Sequence, residues 1–347
     1  MADNQVVQRL DYIDLAKGIG IILVVFGHAL SKDIAASNKI WGIVRSLIYM
    51  VHMPLFFMIS GYLFQVKNQS YRRSTKLSFI AKKAKQYLIP YISFNVILYA
   101  TSIMVSRFPK IQAIYLSAGG YSGNVKEFII SVLTYINPVD GHLWFSYVIF
   151  IVFAIIIFVH RIDGKTLIVF YVLAAITWFF VMPEILWKTL RYLFIFQVGR
   201  IFGSNKSALD RFYRKKSIMM LLFIFMGSFI IFTYLRRSPA TYYPQCIVQP
   251  LCEISGAMTI ILLSKRVISM DQSLLNVLTM IGKESYGIYL LHQPFIVPVL
   301  MSILRKTNVC IFLQLTMSTA IGISIPLLLT QFIIKKNKVL RLFLLGD

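Results

Sequence analysis

Residues 13–31, with the sequence IDLAKGIGIILVVFGHALS, decide the class of fold. The stretch is long and apolar enough to cross a bilayer as a helix. It nevertheless carries Asp14, Lys17 and His28, and ionisable side chains inside a membrane are costly unless they have a function. At 100° per residue, the eleven steps from Lys17 to His28 leave about 20° between the two side chains. One face of this helix is therefore polar.

The whole chain has the composition of a membrane protein. Of its 347 residues 58% are hydrophobic, the mean hydropathy is +0.72, and the apolar residues are spread along the entire length. The sequence predicts an all-α fold, a polytopic transmembrane helical bundle of about ten spans. We place these spans at residues 13–31, 41–64, 87–106, 142–159, 166–182, 186–203, 217–235, 246–264, 286–304 and 309–333.

The chain is strongly basic, with 36 Lys and Arg residues against 13 Asp and Glu residues. A basic protein can bind nucleic acid, but most of these residues lie in alternate loops, as the positive-inside rule requires of a membrane protein. An even number of spans then leaves both termini in the cytoplasm. We predict a multi-pass protein of the cell (plasma or inner) membrane, which contacts membrane lipids and binds no nucleic acid.

Other features of the sequence are interpreted as structural. Cys246, Cys252 and Cys310 lie in apolar segments without metal-ligand spacing, so we predict packing roles and no metal site. The N-terminal segment lacks the pattern of a cleaved secretory signal, so the first span is expected to be retained. The less apolar region 106–141 contains an amphipathic segment, VKEFIISVLTYI, which fits a re-entrant helix, a lid or a plain connecting loop.

Four histidines lie in or at the edge of predicted spans and are candidates for acid–base chemistry. A neutral imidazole in a bundle can act as general base for a hydroxyl group, because it titrates near working pH. A buried histidine can equally be a hydrogen-bonded core residue. His160, beside Arg161 at an inner helix end, is interpreted as structural because a helix C-terminus favours a cation. The four candidates are His28, His52, His142 and His292.

The second predicted span contains a proline and two small residues after its histidine. Pro54 follows His52 and is expected to kink the helix near the middle of the membrane. Ser60 and Gly61 lie nearer the inner end, where small side chains allow either close packing of another helix or the approach of a ligand.

The depths of the polar residues suggest acyl transfer. Lys17 lies near the inner end of the first span and His28 in its outer half, about 16 Å apart, which is comparable to an extended pantetheine arm. Acetyl-CoA could leave its charged nucleotide at a cytoplasmic rim formed by Lys17 and the lysines at 82, 83 and 85, while its thioester reaches towards His28. An acceptor hydroxyl would then arrive from the outer side past His142. Trp144 beside it also fits an interfacial aromatic belt.

Several motifs resemble a known family. The stretch RLDYIDLAKGIGIILVVFGHAL and the stretch HMPLFFMISGYLF resemble the first two spans of the integral-membrane acyltransferase family 3. The segments AKKAKQYLIPY, HLWF and SYGIYLLH resemble later landmarks of that family, so the resemblance covers nearly the whole chain. Members of the family O-acylate sugars of surface polysaccharides, lipopolysaccharides and antibiotics. The first-span pattern is most similar to the fucose O-acetylase-like branch.

The resemblance implies roles for individual residues. By the resemblance His28 would be the catalytic histidine and Lys17 part of the acyl-CoA site. We also count Asp14 among the predicted catalytic residues, and from its place beside Lys17 we expect it to orient or balance that lysine. Many relatives carry arginine at the position of Lys17, which makes bidentate phosphate contacts that lysine cannot make. The donor is expected to be acetyl-CoA or another acyl-CoA, with no metal. The predicted donor-binding residues are Lys17, Ser60, Gly61, Lys82 and Lys85, and the predicted substrate path contains His52, His142, Trp144 and His292.

The sequence thus predicts a single membrane-embedded acyltransferase domain over residues 1–347, with no appended soluble domain. Its acceptor would be a glycan or a lipid-linked sugar, and direct transfer and an acyl-histidine intermediate both remain open. The alternative is an exporter or flippase of a glycan or lipid-linked sugar, although the paired halves with matching broken helices of many transporters are not visible in the sequence. The acyl group, the acceptor sugar and the formation of a homo-oligomer are left open.

Overall fold

The structure, a computed structural model, describes residues 2–67, 75–117, 121–136, 139, 141–159, 161–205, 215–236, 243–268 and 273–347. Within these ranges the side chains of residues 2–10, 114, 117, 215, 273 and 274 are not described. His160 lies outside the described residues, so its structural role stays a prediction.

All regular structure within those ranges is helical, which confirms the all-α class. The helices are α1 (Ala2–Ala29), α2 (Lys32–Ser37), α3 (Lys39–Val66), α4 (Lys76–Ser106), α5 (Pro109–Ser117), α6 (Val125–Thr134), α7 (Trp144–Ile156), α8 (Gly164–Ile176), α9 (Glu184–Ser204), α10 (Lys215–Leu235), α11 (Gln245–Val267), α12 (Ser273–Lys283), α13 (Ser285–Leu291), α14 (Val297–Leu304), α15 (Ile311–Leu329) and α16 (Lys338–Leu345). Two π-helical segments, His292–Ile296 and Thr330–Ile334, follow α13 and α15.

Each of the ten predicted spans has a helical counterpart. Among the described residues, seven helical segments are long and apolar enough to cross a membrane, and α7 and α8 are shorter apolar helices. Helix α9 is also long, but it carries Glu184, Lys188, Arg191 and Arg200. The protein is therefore a multi-pass membrane protein, while the number of ten spans and the cytoplasmic location of both termini stay predictions.

Helices α3 and α9 pack with their main chains in contact. A Cβ atom added to Gly61 would lie 2.0 Å from the carbonyl oxygen of Phe196, and one added to Gly199 would lie 2.1 Å from the carbonyl oxygen of Met58. Small residues are enriched at such membrane helix interfaces because they let the backbones approach closely. Gly61 therefore serves helix packing, one of the two alternatives left open by the sequence, and it fixes α3 against α9.

A break in the helical backbone occurs after α13 and not at Pro54, and the kink expected at Pro54 stays a prediction. Helix α3 continues from Lys39 to Val66 with a buried Pro54 inside it. The break occurs after α13, where Gln293 has an extended backbone (φ −123°, ψ 156°) within the π-helical segment. A residue that precedes proline is disfavoured in the helical conformation, and Gln293 precedes Pro294. This break places non-helical main chain directly beside His292.

The amphipathic segment of the outer region forms helix α6. Its last turn accepts two hydrogen bonds from tyrosines of other helices: the hydroxyl of Tyr91 donates to the carbonyl oxygen of Val132 (2.9 Å), and that of Tyr147 donates to the carbonyl oxygen of Leu133 (2.7 Å). Tyr91 belongs to α4 and Tyr147 to α7. The segment is therefore a helix docked on the bundle rather than a plain loop.

Candidate active site

The four candidate histidines come together from four separate parts of the chain. The ring centroids of His28 and His292 are 5.1 Å apart, and those of His142 and His292 are 5.5 Å apart, both in edge-to-face geometry. His52 joins through Tyr49, whose ring centroid lies 4.9 Å from that of His52 and 6.5 Å from that of His28. We call His28, His52, His142 and His292 the histidine cluster.

Main-chain carbonyls fix the tautomers of two members of this cluster. The Nδ1 atom of His292 lies 2.7 Å from the carbonyl oxygen of Tyr289 and 3.0 Å from that of Ile288. The Nδ1 atom of His52 lies 2.7 Å from the carbonyl oxygen of Ile48. A carbonyl oxygen only accepts, so Nδ1 carries the proton in both rings. In the neutral imidazole Nε2 is then the basic nitrogen.

Arg45 is a member of this region that the sequence reasoning missed. Its guanidinium carbon lies 4.2 Å from the centroid of the Tyr49 ring, and its Nε donates to the carbonyl oxygen of Leu30 (3.1 Å). A cation over an aromatic ring is an attractive contact, so Arg45 holds Tyr49 in place between two histidines. The spacing of four residues from Arg45 to Tyr49 and three more to His52 would have placed all three on one helix face.

A cavity of about 270 Å³ begins at the basic end of the bundle. Four lysines from four different parts of the chain line it: Lys17, Lys67, Lys83 and Lys283. The ammonium of Lys17 also forms a 2.7 Å ion pair with Asp14. The lysines give one end of this cavity a positive charge that suits an anion such as a phosphate.

Most of the remaining lining is aromatic or aliphatic, and its polar members are Ser60, Gln86 and Ser285. Four of these residues lie within one helical turn of a histidine in sequence: Val24 before His28, Met53 after His52, Phe145 after His142 and Tyr289 before His292. No histidine is itself among the described lining residues. The ring centroid of Tyr289 lies 5.5 Å from that of His142 and 6.3 Å from that of His292, so the cavity that the lysines line reaches a direct neighbour of two members of the histidine cluster.

The structure separates the predicted donor-binding residues into two groups. Lys17 and Ser60 line the cavity. Lys82 and Lys85 are exposed and lie outside its lining, and Gly61 lies in the contact between α3 and α9. The face of α4 that meets the cavity carries Lys83, Gln86 and Tyr87, which are spaced by three and four residues. A helix cannot present Lys82 and Lys85 on that same face, because they are rotated by about 100° and 200° from Lys83.

Lys83 is buried among aromatic rings. Its ammonium lies 4.3 Å from the ring centroid of Phe153 and 5.6 Å from that of Tyr87, and it donates to Oε1 of Gln86 (2.9 Å). None of the ion pairs found among the described residues joins Lys83 to a carboxylate. The aromatic faces stabilise the charge of this ammonium. Because Lys83 lines the cavity, the same charge can attract an anion bound there.

On the opposite side of the cluster, His142 and Trp144 stand at the start of α7. The carbonyl oxygen of His142 accepts a 2.5 Å hydrogen bond from the hydroxyl of Tyr289. Trp144 stacks on Tyr192 with a centroid distance of 5.3 Å, and the ammonium of Lys188 lies 4.2 Å from the Trp144 ring. The structure therefore places Trp144 in a second group of aromatic and charged side chains next to the histidine cluster.

Residues 10–330 match the sequence model of the family described as "Acyltransferase domain". The chain belongs to this acyltransferase family. It is also similar to two curated proteins named "Nodulation protein NolL". The protein from Mesorhizobium japonicum is 30% identical over 145 residues, which are 41% of this chain and 34% of that protein. The protein from Sinorhizobium fredii is 42% identical over 79 residues, which are 22% of this chain and 21% of that protein.

The matched segments thus span well under half of either relative's length. No solved structure matches the chain. For a member of an acyltransferase family, the arrangement contains two necessary parts: imidazoles that can move a proton, and a cavity that can bring a donor to them. Among the described residues no group of three His, Cys, Asp or Glu side chains is arranged to hold a metal ion.

Proposed function

We propose that the protein is a membrane O-acyltransferase of the cell (plasma or inner) membrane. It moves an acyl group from cytoplasmic acyl-CoA to a hydroxyl of a surface polysaccharide or lipid-linked sugar. The acyl group that we propose is acetyl. One observation carries the proposal: a single cavity is lined by four lysines and by Tyr289, whose ring contacts two of the four clustered histidines.

The cavity fits the chemistry of an acyl-CoA. Lys17, Lys67, Lys83 and Lys283 would hold the phosphates of the nucleotide by charge-assisted hydrogen bonds. The aromatic and aliphatic lining would surround the pantetheine arm, as in most small-molecule sites. The donor supplies a thioester, whose carbonyl carbon is the electrophile.

In the proposed reaction a ring nitrogen of His28 accepts the proton of the acceptor hydroxyl while the hydroxyl oxygen attacks the thioester carbonyl carbon. The carbon–sulfur bond breaks, and the departing sulfur takes the proton from His28, which restores the starting enzyme. His292, whose Nδ1 proton is held by main-chain carbonyls, faces the His28 ring and positions it. Asp14 pairs with Lys17 and lies about 21 Å along the helix from His28, so it balances the lysine instead of moving the proton.

The test compares the surface glycan of cells that lack the gene with that of cells that carry it. We expect mass spectrometry to find an O-acyl group only when the gene is present, with the amount of surface glycan unchanged. If the glycan disappears from the surface when the gene is removed, the protein is an exporter and the proposal is wrong.

We expect the double variant Lys17→Met, Lys83→Met to bind acetyl-CoA much more weakly. Hydrogen bonds to charged groups contribute about 1.5–3 kcal/mol each, so the KM for acetyl-CoA should rise by at least about a hundredfold. Methionine keeps the apolar stem and removes only the charge. The measurement is the acetyl transfer rate of purified protein in lipid nanodiscs at varied acetyl-CoA concentration.

The matched control is the double variant Lys82→Met, Lys85→Met, because these exposed lysines of the same helix lie outside the cavity lining. Its KM for acetyl-CoA should stay within about twofold of the intact protein, as is usual for changes at exposed surface positions. With S-acetylpantetheine, which lacks the nucleotide, the intact protein and both variants should have similar KM values. Equal effects of the two double variants on acetyl-CoA would contradict the assignment of the cavity.

A further inference from the structure

A second polar group lies on α9 next to the histidine cluster and has no part in the proposed proton transfer. Arg191 forms an ion pair with Glu253 of α11, and Nε2 of Gln249 donates to Oε1 of the same glutamate (3.1 Å). Lys188, one turn before, forms an ion pair with Glu184. We use the name α9 cluster for Trp144, Lys188, Thr189, Arg191, Tyr192 and Glu253.

Two charged members of the α9 cluster, Lys188 and Glu253, are buried, and Arg191 is partly exposed. Lys188 is 8% exposed and Glu253 is 1% exposed. Removing two charges from water costs several kcal/mol per ion, and the attraction between them only partly offsets that cost. Apolar side chains of the same volume therefore often stabilise a protein as well or better. Ionisable residues retained within a membrane bundle therefore point to a function.

Aromatic rings surround the cationic side of this cluster. The ammonium of Lys188 lies 4.2 Å from the ring centroid of Trp144, 5.7 Å from that of Trp187 and 5.8 Å from that of Tyr135. The guanidinium carbon of Arg191 lies 5.9 Å from the Trp187 centroid. Two of the four tryptophans of the chain thus meet the buried cation of Lys188 or the partly exposed cation of Arg191.

Thr189 adds a hydroxyl that has no hydrogen-bond partner among the described residues, although the side chain is only 4% exposed. The buried Thr259 and Thr319 donate to the carbonyl oxygen one turn earlier, of Ser255 and Leu315, both at 2.7 Å, whereas the buried hydroxyl of Thr330 resembles that of Thr189 in having no partner among the described residues. A buried hydroxyl without a partner loses the hydrogen bonds it would make to water. A bound polar molecule would supply the missing partner.

The α9 cluster lies next to the histidine cluster. It also lies near the end of the bundle that is opposite to the four lysines of the cavity. Trp144 follows His142 by two residues, and the ring of His142 contacts that of His292. The side chain of Glu184, at the first position of α9, is 47% exposed, so the group is reached from the end of the helix that our topology places outside. A molecule bound here would present its groups to the histidine cluster from the side opposite the donor.

We propose that the α9 cluster binds the acceptor and that the acceptor unit is a neutral pyranose sugar. The proposal rests on the proposed acyl transfer and names the substrate class of that same site. Aromatic faces such as Trp144 pack against the C–H face of a pyranose, while Lys188, Arg191, Glu253 and the Thr189 hydroxyl bond to its hydroxyl groups. Each cation already has its own carboxylate, Glu184 for Lys188 and Glu253 for Arg191, which favours an uncharged sugar over a uronic acid or a sugar phosphate.

The test uses purified protein in lipid nanodiscs, acetyl-CoA, and oligosaccharides released from the surface glycan of cells that lack the gene. Anion exchange separates these oligosaccharides into neutral and acidic fractions, and we expect acetyl transfer to the neutral fraction. Thr189→Val keeps the side-chain shape and removes one hydrogen-bonding group, so the KM for the oligosaccharide should rise about threefold to tenfold. Lys188→Met should raise it by about tenfold or more, with the KM for acetyl-CoA unchanged.

Thr259→Val is the matched control, since it removes a hydroxyl that already has a main-chain partner in α11. A purely structural Thr189 would leave the acceptor KM unchanged and would make Thr189→Val neutral or more stable. If the intact protein acetylates no oligosaccharide, the proposed function itself fails. If it does so and Thr189→Val keeps the intact acceptor KM, the α9 cluster is not the acceptor site, whether or not Lys188→Met folds. Transfer to the acidic fraction alone would overturn the neutral sugar.

Discussion

Replacing His28 with alanine is expected to abolish O-acylation of the surface glycan while the protein remains folded in the membrane. A general base contributes about a hundredfold to ten-thousandfold to a transfer rate, so kcat should fall by that factor. The KM for acetyl-CoA should change little, because the lysines that would hold the nucleotide stand at the other end of the cavity. The measurement is acetyl transfer by purified protein, paired with the O-acyl content of the glycan in cells.

The other histidines are the comparison for this result. His292→Gln removes the ring that lies 5.1 Å from His28 and should reduce kcat less than His28→Ala does. His52→Gln should have the smallest effect of the three, because His52 reaches His28 through Tyr49. If His28→Ala keeps near-normal kcat while His292→Gln loses activity, the base is His292 and the proposed assignment is wrong.

Replacing Gly282 with valine is expected to remove the folded protein from the membrane. A Cβ atom at this position would lie 1.7 Å from the carbonyl oxygen of Asp14 and 2.8 Å from the amide nitrogen of Gly18. These neighbours are main-chain atoms of α1, so no side chain can rotate away, and α12 would have to separate from α1. We expect no monodisperse peak for Gly282→Val in size-exclusion chromatography of the detergent extract.

Gly227→Val is the matched control for this substitution. A Cβ atom at Gly227, in α10, meets nothing within 4 Å in the described structure. A glycine-to-valine change there alters helix propensity by only a few tenths of a kcal/mol and should leave the amount of extracted protein near normal. Extraction of folded Gly282→Val protein at the level of Gly227→Val would show that α1 and α12 do not pack as described.

Much of the bundle could be predicted from the sequence because a membrane imposes simple rules. A helix is the way to satisfy the backbone in lipid, so apolar runs of sufficient length indicate helices. Polar residues on such helices then stand out, and in this way His28, His52, His142 and His292 were all identified before their contacts were known. Helical periodicity also related Lys17 to His28, and the structure shows Lys17 and Val24, the residue one turn before His28, lining the same cavity.

Which lysine of a basic run faces the cavity could not be predicted in the same way. Lys82, Lys83 and Lys85 have the same chemistry, and only the packing of α4 against its neighbours decides that Lys83 is buried against Phe153. Arg191 and Glu253 are a comparable case, because they are 62 residues apart in sequence and meet only because α9 and α11 both pack against α3. Contacts between distant segments depend on tertiary structure, which residue spacing along one helix does not specify.

The four lysines of the cavity have a consequence for turnover in the cell. In the proposed site they would contact the nucleotide of the donor and not its acyl group, so spent CoA would keep all of these contacts after the acyl group has left. Product and donor would then compete on nearly equal terms for one cavity. The rate of glycan modification would follow the ratio of acetyl-CoA to free CoA, and the decoration of the cell surface would report the metabolic state of the cytoplasm.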